Sequence, residues 1–119
     1  MNDFPEFMRH PYNKIFFRPP AGKDRQGYVF DGAEGGQVTI WTYEADGATP
    51  EQTHTFDEYL VVIQGNYTLI IGGEKLTLVA GQEHLIPKGT AYAAEYQAGT
   101  RTIQAFGGRR FKRAIEERA

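Results

Sequence analysis

The chain has 119 residues, enough for one domain with one core and too few for a second. It is 40% hydrophobic and 24% charged with a net charge of -2, which excludes a general electrostatic pull toward nucleic acid or anionic lipid. Cysteine is absent, so disulfides and thiolate metal sites are excluded too.

Residues 1–26 are polar and interrupted by prolines, with Phe4, Phe7, Met8, Ile15, Phe16 and Phe17 interspersed. The start, Met1-Asn2-Asp3-Phe4-Pro5-Glu6, lacks the basic and apolar regions of a signal peptide, and no apolar run is long enough to span a membrane. Cytoplasm is the expected location. Pro5 suits the first position of a short helical turn through Met8. Pro19-Pro20 and Ala21-Gly22 then break any regular element. The arm is expected to lay its aromatic residues over the outside of a barrel or against a second subunit.

From Gly27 the pattern changes to short strands separated by turns. Tyr28-Val29-Phe30 is one, closed by Asp31-Gly32. Gln37 to Glu44 is another, with Val38, Ile40 and Thr42 alternating against Thr39, Trp41 and Tyr43. Trp41 and Tyr43 read as core or interface. Asp46-Gly47 and Pro50 end that strand. Glu58 to Gln64 and Tyr67 to Ile71 read as a hairpin across Gly65-Asn66. Gly72-Gly73 turns into Lys75 to Val79, and Ala80-Gly81 turns into His84 to Ile86. Tyr92 to Tyr96 and Thr102 to Phe106 complete the series, with Gln104 on the face of Thr102 and Phe106. Many short strands with regular turn signals predict an all-β sandwich or barrel. The tail from Gly107 carries basic residues at 109–113 and reads as a solvated terminal helix with Phe111 and Ile115 on one face.

The chemistry concentrates in two segments. The first is His54-x3-Glu58-x6-Gly65, preceded by Gln52; the second is Gly81-x5-Pro87-x-Gly89-x2-Tyr92. Alternation along a strand lets Gln52 and His54 aim the same way, and a short turn returns Glu58 from the next strand with Leu60 and Val62 on its face. An imidazole and a carboxylate so placed can hydrogen-bond each other and a water, with the Tyr92 hydroxyl pointing at Glu58. Glu58 in an apolar barrel can carry a raised pKa and act as acid or base. His84 reads as structural or subunit-facing, and His10 as exposed.

These two segments resemble the paired signatures of the cupin family. There the first reads glycine, His-x-His, three or four residues, glutamate, six residues, glycine. The second reads glycine, five residues, Pro-x-Gly, two residues, histidine. The resemblance spans about residues 27–107. It departs from the pattern where Gln52 and Tyr92 stand in histidine positions. The resemblance implies a single domain over 1–119: an all-β cupin double-stranded β-helix, or jelly-roll barrel, with a short N-terminal arm and a C-terminal helical tail. It implies a homodimer and a small-molecule ligand in the barrel. It further implies a divalent metal (Fe, Mn or Zn) at Gln52, His54, Glu58 and Tyr92, with Glu58 and Tyr92 catalytic. The reaction would be dioxygenase, isomerase or lyase-like. Two other readings stand beside it: metal-free acid/base catalysis, and a non-catalytic binding cupin that has lost its metal site.

Overall fold

The computed structural model describes residues 3–18 and 25–117. The break expected at Pro19-Pro20 and Ala21-Gly22 falls on residues outside those described. The strands are β1 (Lys14–Phe17), β2 (Arg25–Asp31), β3 (Gln37–Thr42), β4 (Gly47–Gln52) and β5 (Glu58–Gln64). They continue with β6 (Asn66–Ile71), β7 (Glu74–Val79), β8 (Glu83–Ile86), β9 (Tyr92–Tyr96) and β10 (Arg101–Phe106). A short helix, α1 (Ala114–Glu117), follows.

The strands form two antiparallel sheets, β1-β2-β3-β10-β5-β8 and β4-β9-β6-β7, in a jelly roll. Alternation supplies the inner faces. Val29, Trp41, Tyr43, Leu60, Val62 and Ile86 from one sheet pack against Tyr67, Leu69, Leu78, Tyr92, Ala94 and Tyr96 from the other. Trp41 and Tyr43 are core residues, as their strand pattern predicts. Gly27 is required here, because a Cβ at that position would lie 2.5 Å from the carbonyl oxygen of Ile40 and from the Trp41 ring. Pro5 opens a 3-10 turn over Glu6–Met8, at the expected place.

Four local expectations are corrected. Glu58–Gln64 and the following strand do not form a hairpin: β5 pairs with β10 and β8, whereas β6 belongs to the other sheet. Gly65, at φ +82°, is the corner at which the chain changes sheets, and Gly72-Gly73, at φ 60° and 81°, forms the tight turn that joins β6 to β7. Pro50 does not terminate structure; it sits in β4, whose pairing with β9 is irregular between Thr49 and Gln52. The aromatic residues of the N-terminal arm are only partly external. Phe4 packs outside the barrel under the Arg101 guanidinium, 4.3 Å from its ring centroid, but Phe17 packs against the core beside the fully buried Ile15 of β1. The tail is helical only from Ala114, so Phe111 and Ile115 do not share a helix face, and residues 107–113 cross the open end of the barrel.

Candidate functional site

Register brings the candidate residues to one end of the barrel. Gln52 ends β4 directly opposite Tyr92, the first residue of β9. Glu58 opens β5 opposite Phe106 at the end of β10 and Ile86 at the end of β8. His54 is not on a strand with Gln52; it lies in the loop between β4 and β5. That loop is held from both sides. The His54 carbonyl accepts from the Gly89 N–H at 2.9 Å, Asp57 Oδ1 accepts from the Lys88 N–H at 2.9 Å, and the Asp57 carbonyl accepts from the Gly107 N–H at 2.9 Å. The imidazole stacks on Phe56 at 5.0 Å between centroids.

The four residues meet as follows. The Tyr92 hydroxyl donates to Glu58 Oε1 at 2.5 Å, and its oxygen lies 3.0 Å from His54 Nε2. His54 and Glu58 are therefore linked through the phenol rather than to each other. A phenol has one proton. While Tyr92 donates to an ionised Glu58, the bond to His54 requires a donor Nε2–H. Gln52 makes no contact of this kind with the other three; its amide oxygen accepts from Arg110.

Arg110 is the residue of this cluster that the sequence did not reveal. Its Nη2 donates to Gln52 Oε1 at 2.9 Å, and its Nη1 lies 3.5 Å from Glu58 Oε1 and 3.4 Å from the Tyr92 hydroxyl. Its guanidinium lies over Phe106 and Phe111 at 5.0 and 4.9 Å. Gln37 fixes the segment. Its buried Oε1 accepts from the N–H groups of Arg110 and Phe111 at 2.8 and 2.9 Å, and its Nε2 donates to the Phe111 carbonyl at 3.0 Å. The Phe111 ring meets Trp41 edge-on at 5.3 Å. Nothing in the spacing of Gly107-Gly108-Arg109-Arg110-Phe111 announces this; the apolar Phe111 after a glycine pair is the one local feature that fits an anchor.

Burial raises the pKa of Glu58, opposed by the Arg110 charge and the Tyr92 hydrogen bond. Burial and the same guanidinium lower that of His54, and burial with the Glu58 charge raises that of Tyr92. The interior beneath is nearly filled. A cavity of about 10 Å³, room for a single water, is lined by Gln52, Tyr92, Gln104, Arg110 and Phe111 among others. Gln104 faces inward, and its amide donates to the Tyr43 hydroxyl at 3.2 Å. His84 is half-buried on β8, the edge strand, and His10 is exposed, where its ring accepts from the Tyr12 N–H.

The donors as placed do not fit a divalent ion. The Gln52 oxygen is taken by Arg110, a positive guanidinium stands within 3.5 Å of the Glu58 carboxylate, and only one imidazole is present. Among the described residues no group of three or more His, Asp or Glu is positioned to hold a metal.

The cupin domain family model matches residues 39–103. Solved structures of the same fold include KdgF from Halomonas sp., with a TM-score of 0.66 at 20% identity over 72% of this chain and 80% of that one. A cupin superfamily protein from Desulfitobacterium hafniense gives 0.63 at 13% identity over 75% and 79%. A putative ethanolamine utilization protein Q from Salmonella typhimurium gives 0.61 at 16% identity over 71% and 69%. At these identities the likeness shows the fold alone. No curated protein matches the chain in sequence.

Proposed function

The chain belongs to the cupin domain family, and from that premise we propose that it is a small-molecule enzyme working by proton transfer, with Glu58 and Tyr92 as its acid/base pair. One observation carries this reading: the Tyr92 hydroxyl sits between the Glu58 carboxylate and the His54 imidazole, at 2.5 and 3.0 Å. The three form a continuous path from a buried carboxyl to a half-exposed ring. Glu58, with its pKa raised by burial, takes a proton from a ligand at the mouth more readily than an exposed carboxylate does. With Glu58 protonated the bond to His54 no longer requires an Nε2–H. His54 in its Nδ1–H tautomer, reached by exchange with solvent, accepts the Tyr92 proton at Nε2 as Glu58 passes its own to the Tyr92 oxygen. The charge then reaches solvent at the ring. The reaction class stays at isomerase or lyase-like proton movement.

The metal-dependent version of the same site would use His54 and Glu58 as main ligands, with Gln52 and Tyr92 completing the set, to polarise an oxygen-bearing substrate. The donor placement counts against it. The non-catalytic reading, a cupin that only binds a small molecule, would have to place that molecule at the mouth, because the cavity beneath holds no more than a single water.

The test is solvent deuterium incorporation, followed by NMR, into a panel of small molecules with a C–H beside a carbonyl. Wild type is expected to exchange at least one of them, and Glu58→Gln to slow that exchange by roughly 100-fold or more. Equal exchange in both proteins would end the proton-transfer reading, and no exchange on the whole panel would favour the binding module. Elemental analysis of untagged wild type beside His54→Ala decides the metal question. Near one ion per chain, lost in the variant, would restore the metal-dependent version.

A further inference from the structure

We infer that Arg110 is the resident cation of this barrel, holding by its guanidinium the position between Gln52, Glu58 and Tyr92 that a divalent ion would have to occupy. The inference rests on those residues forming the site, and goes beyond it in assigning a role to a residue outside both signature segments. Three independent features carry it.

The first is placement. Arg110 bonds or closely approaches three of the four residues that the family pattern directs at one ion, and the fourth, His54, is reached through Tyr92. The second is charge. Glu58 is the one buried acid among the described residues, at 2% exposure, and Arg110 is its one ion-pair partner among them. A buried carboxylate has to be neutral, paired or metal-bound. The third is that the approach is built rather than incidental. Gln37, itself 3% exposed, uses both ends of its amide on the backbone of Arg110 and Phe111. Phe106 and Phe111 flank the guanidinium, and Arg113 ties the segment down through Asp31 Oδ2 at 2.6 Å and Asn13 Oδ1 at 3.0 Å.

A guanidinium in this position differs from a metal ion in a defined way. It donates hydrogen bonds in a fixed plane but offers no coordination positions. The site keeps a positive charge facing its carboxylate and gives up ligand exchange. The segment bearing that charge comes from beyond the last strand, which allows Gln52 and Tyr92 to stand where histidines would otherwise be needed.

The inference predicts that removing the guanidinium leaves a vacancy for a cation. Arg110→Ala and wild type are titrated calorimetrically with MnCl2, and separately with guanidinium chloride or urea at low millimolar concentration while the thermal midpoint is recorded. Arg110→Ala is expected to take up one cation per chain, Mn2+ or guanidinium, in mutual competition and at least about tenfold more tightly than wild type, while urea has no saturable effect. Adding His54→Ala should weaken Mn2+ but leave guanidinium rescue in place, since His54 makes no contact with Arg110. Arg110→Lys should exclude Mn2+ as wild type does. If Arg110→Ala does not fold, Arg110→Met, which keeps the stem against the two rings, replaces it. Failure of both cations to bind the folded variant would overturn the assignment, as would stoichiometric Mn2+ in wild type. Failure of both cations to bind leaves deuterium exchange through Glu58 untouched, and loss of that exchange leaves the Arg110 assignment standing, so the two readings fail separately. Mn2+ in wild type is the one result that would count against both.

Discussion

Glu58 shows how burial and chemistry meet in one side chain. Its carboxyl is held above its ordinary value of 4.5 in the fold. The folded state therefore retains a proton that the unfolded chain has already lost, and stability falls as pH rises from about 4.5 toward the folded value. Glu58→Gln, which can still accept from Tyr92, removes that slope. Its thermal midpoint should gain on wild type across this window, and parallel profiles would show that Glu58 is not perturbed. His54 acts with the opposite sense. Its pKa is lowered from 6.5, so the folded state binds its proton late, and stability is lost as pH falls below about 6.5 toward the folded value. His54→Gln should flatten that acid-side loss in the same melting series. At this scale Gln52, His54, Glu58 and Tyr92 were picked out by their match to the cupin signatures; the strand alternation expected to aim Gln52 and His54 together does not apply, because His54 lies in the loop after β4. The sequence was silent about Arg110, whose partners lie on β4, β5 and β9 and leave no periodic trace in the tail.

Among the elements, the corner at Gly65 decides the topology. A side chain there would combine a φ of +82° with a Cβ 2.5 Å from Thr100 Oγ1 and 2.7 Å from its Cα. Gly65→Ala should cost roughly 2–3 kcal/mol, measurable by urea unfolding. The Gly65-Asn66 dipeptide announces a turn, but it cannot say whether the next strand pairs with the last or crosses to the other sheet. That choice is made by distant partners: β10 occupies one side of β5 and β8 the other. The C-terminal segment poses the same problem in another form. Its Phe111 packs on Trp41 and Phe106, so Phe111→Ala should destabilise the protein by about 2 kcal/mol, below the range for a wholly buried ring. A solvated tail would show no change on the same denaturant curve.

For the molecule as a whole, the six-stranded sheet carries one apolar row across its outer face. Phe30, Val38, Ala105, Tyr59 and Leu85 stand in one row across β2, β3, β10, β5 and β8. Leu85 is 56% exposed, and Val38 and Tyr59 are 38% exposed. A contiguous apolar band of this kind marks an association surface, and we propose that two copies pair through it. Light scattering after size exclusion should give a dimer for wild type and a monomer for Tyr59→Lys/Leu85→Lys. A monomeric wild type would refute the pairing. No helix among the described residues is long and apolar enough to cross a membrane.

The sequence by itself determined an all-β sandwich or barrel and the inward faces of β3 and β5, which follow from alternation and turn glycines, local properties of a chain. The jelly roll and the positions of Gln52, His54, Glu58 and Tyr92 came through its resemblance to the cupin signatures. Only the tertiary structure decided that β5 and β6 lie in different sheets, that β1 buries Ile15 in the core, and that Arg110 faces Glu58. Each of these is a contact between segments far apart in the chain, selected by which burial and charge pairings the closed barrel leaves open, and no local pattern encodes that choice.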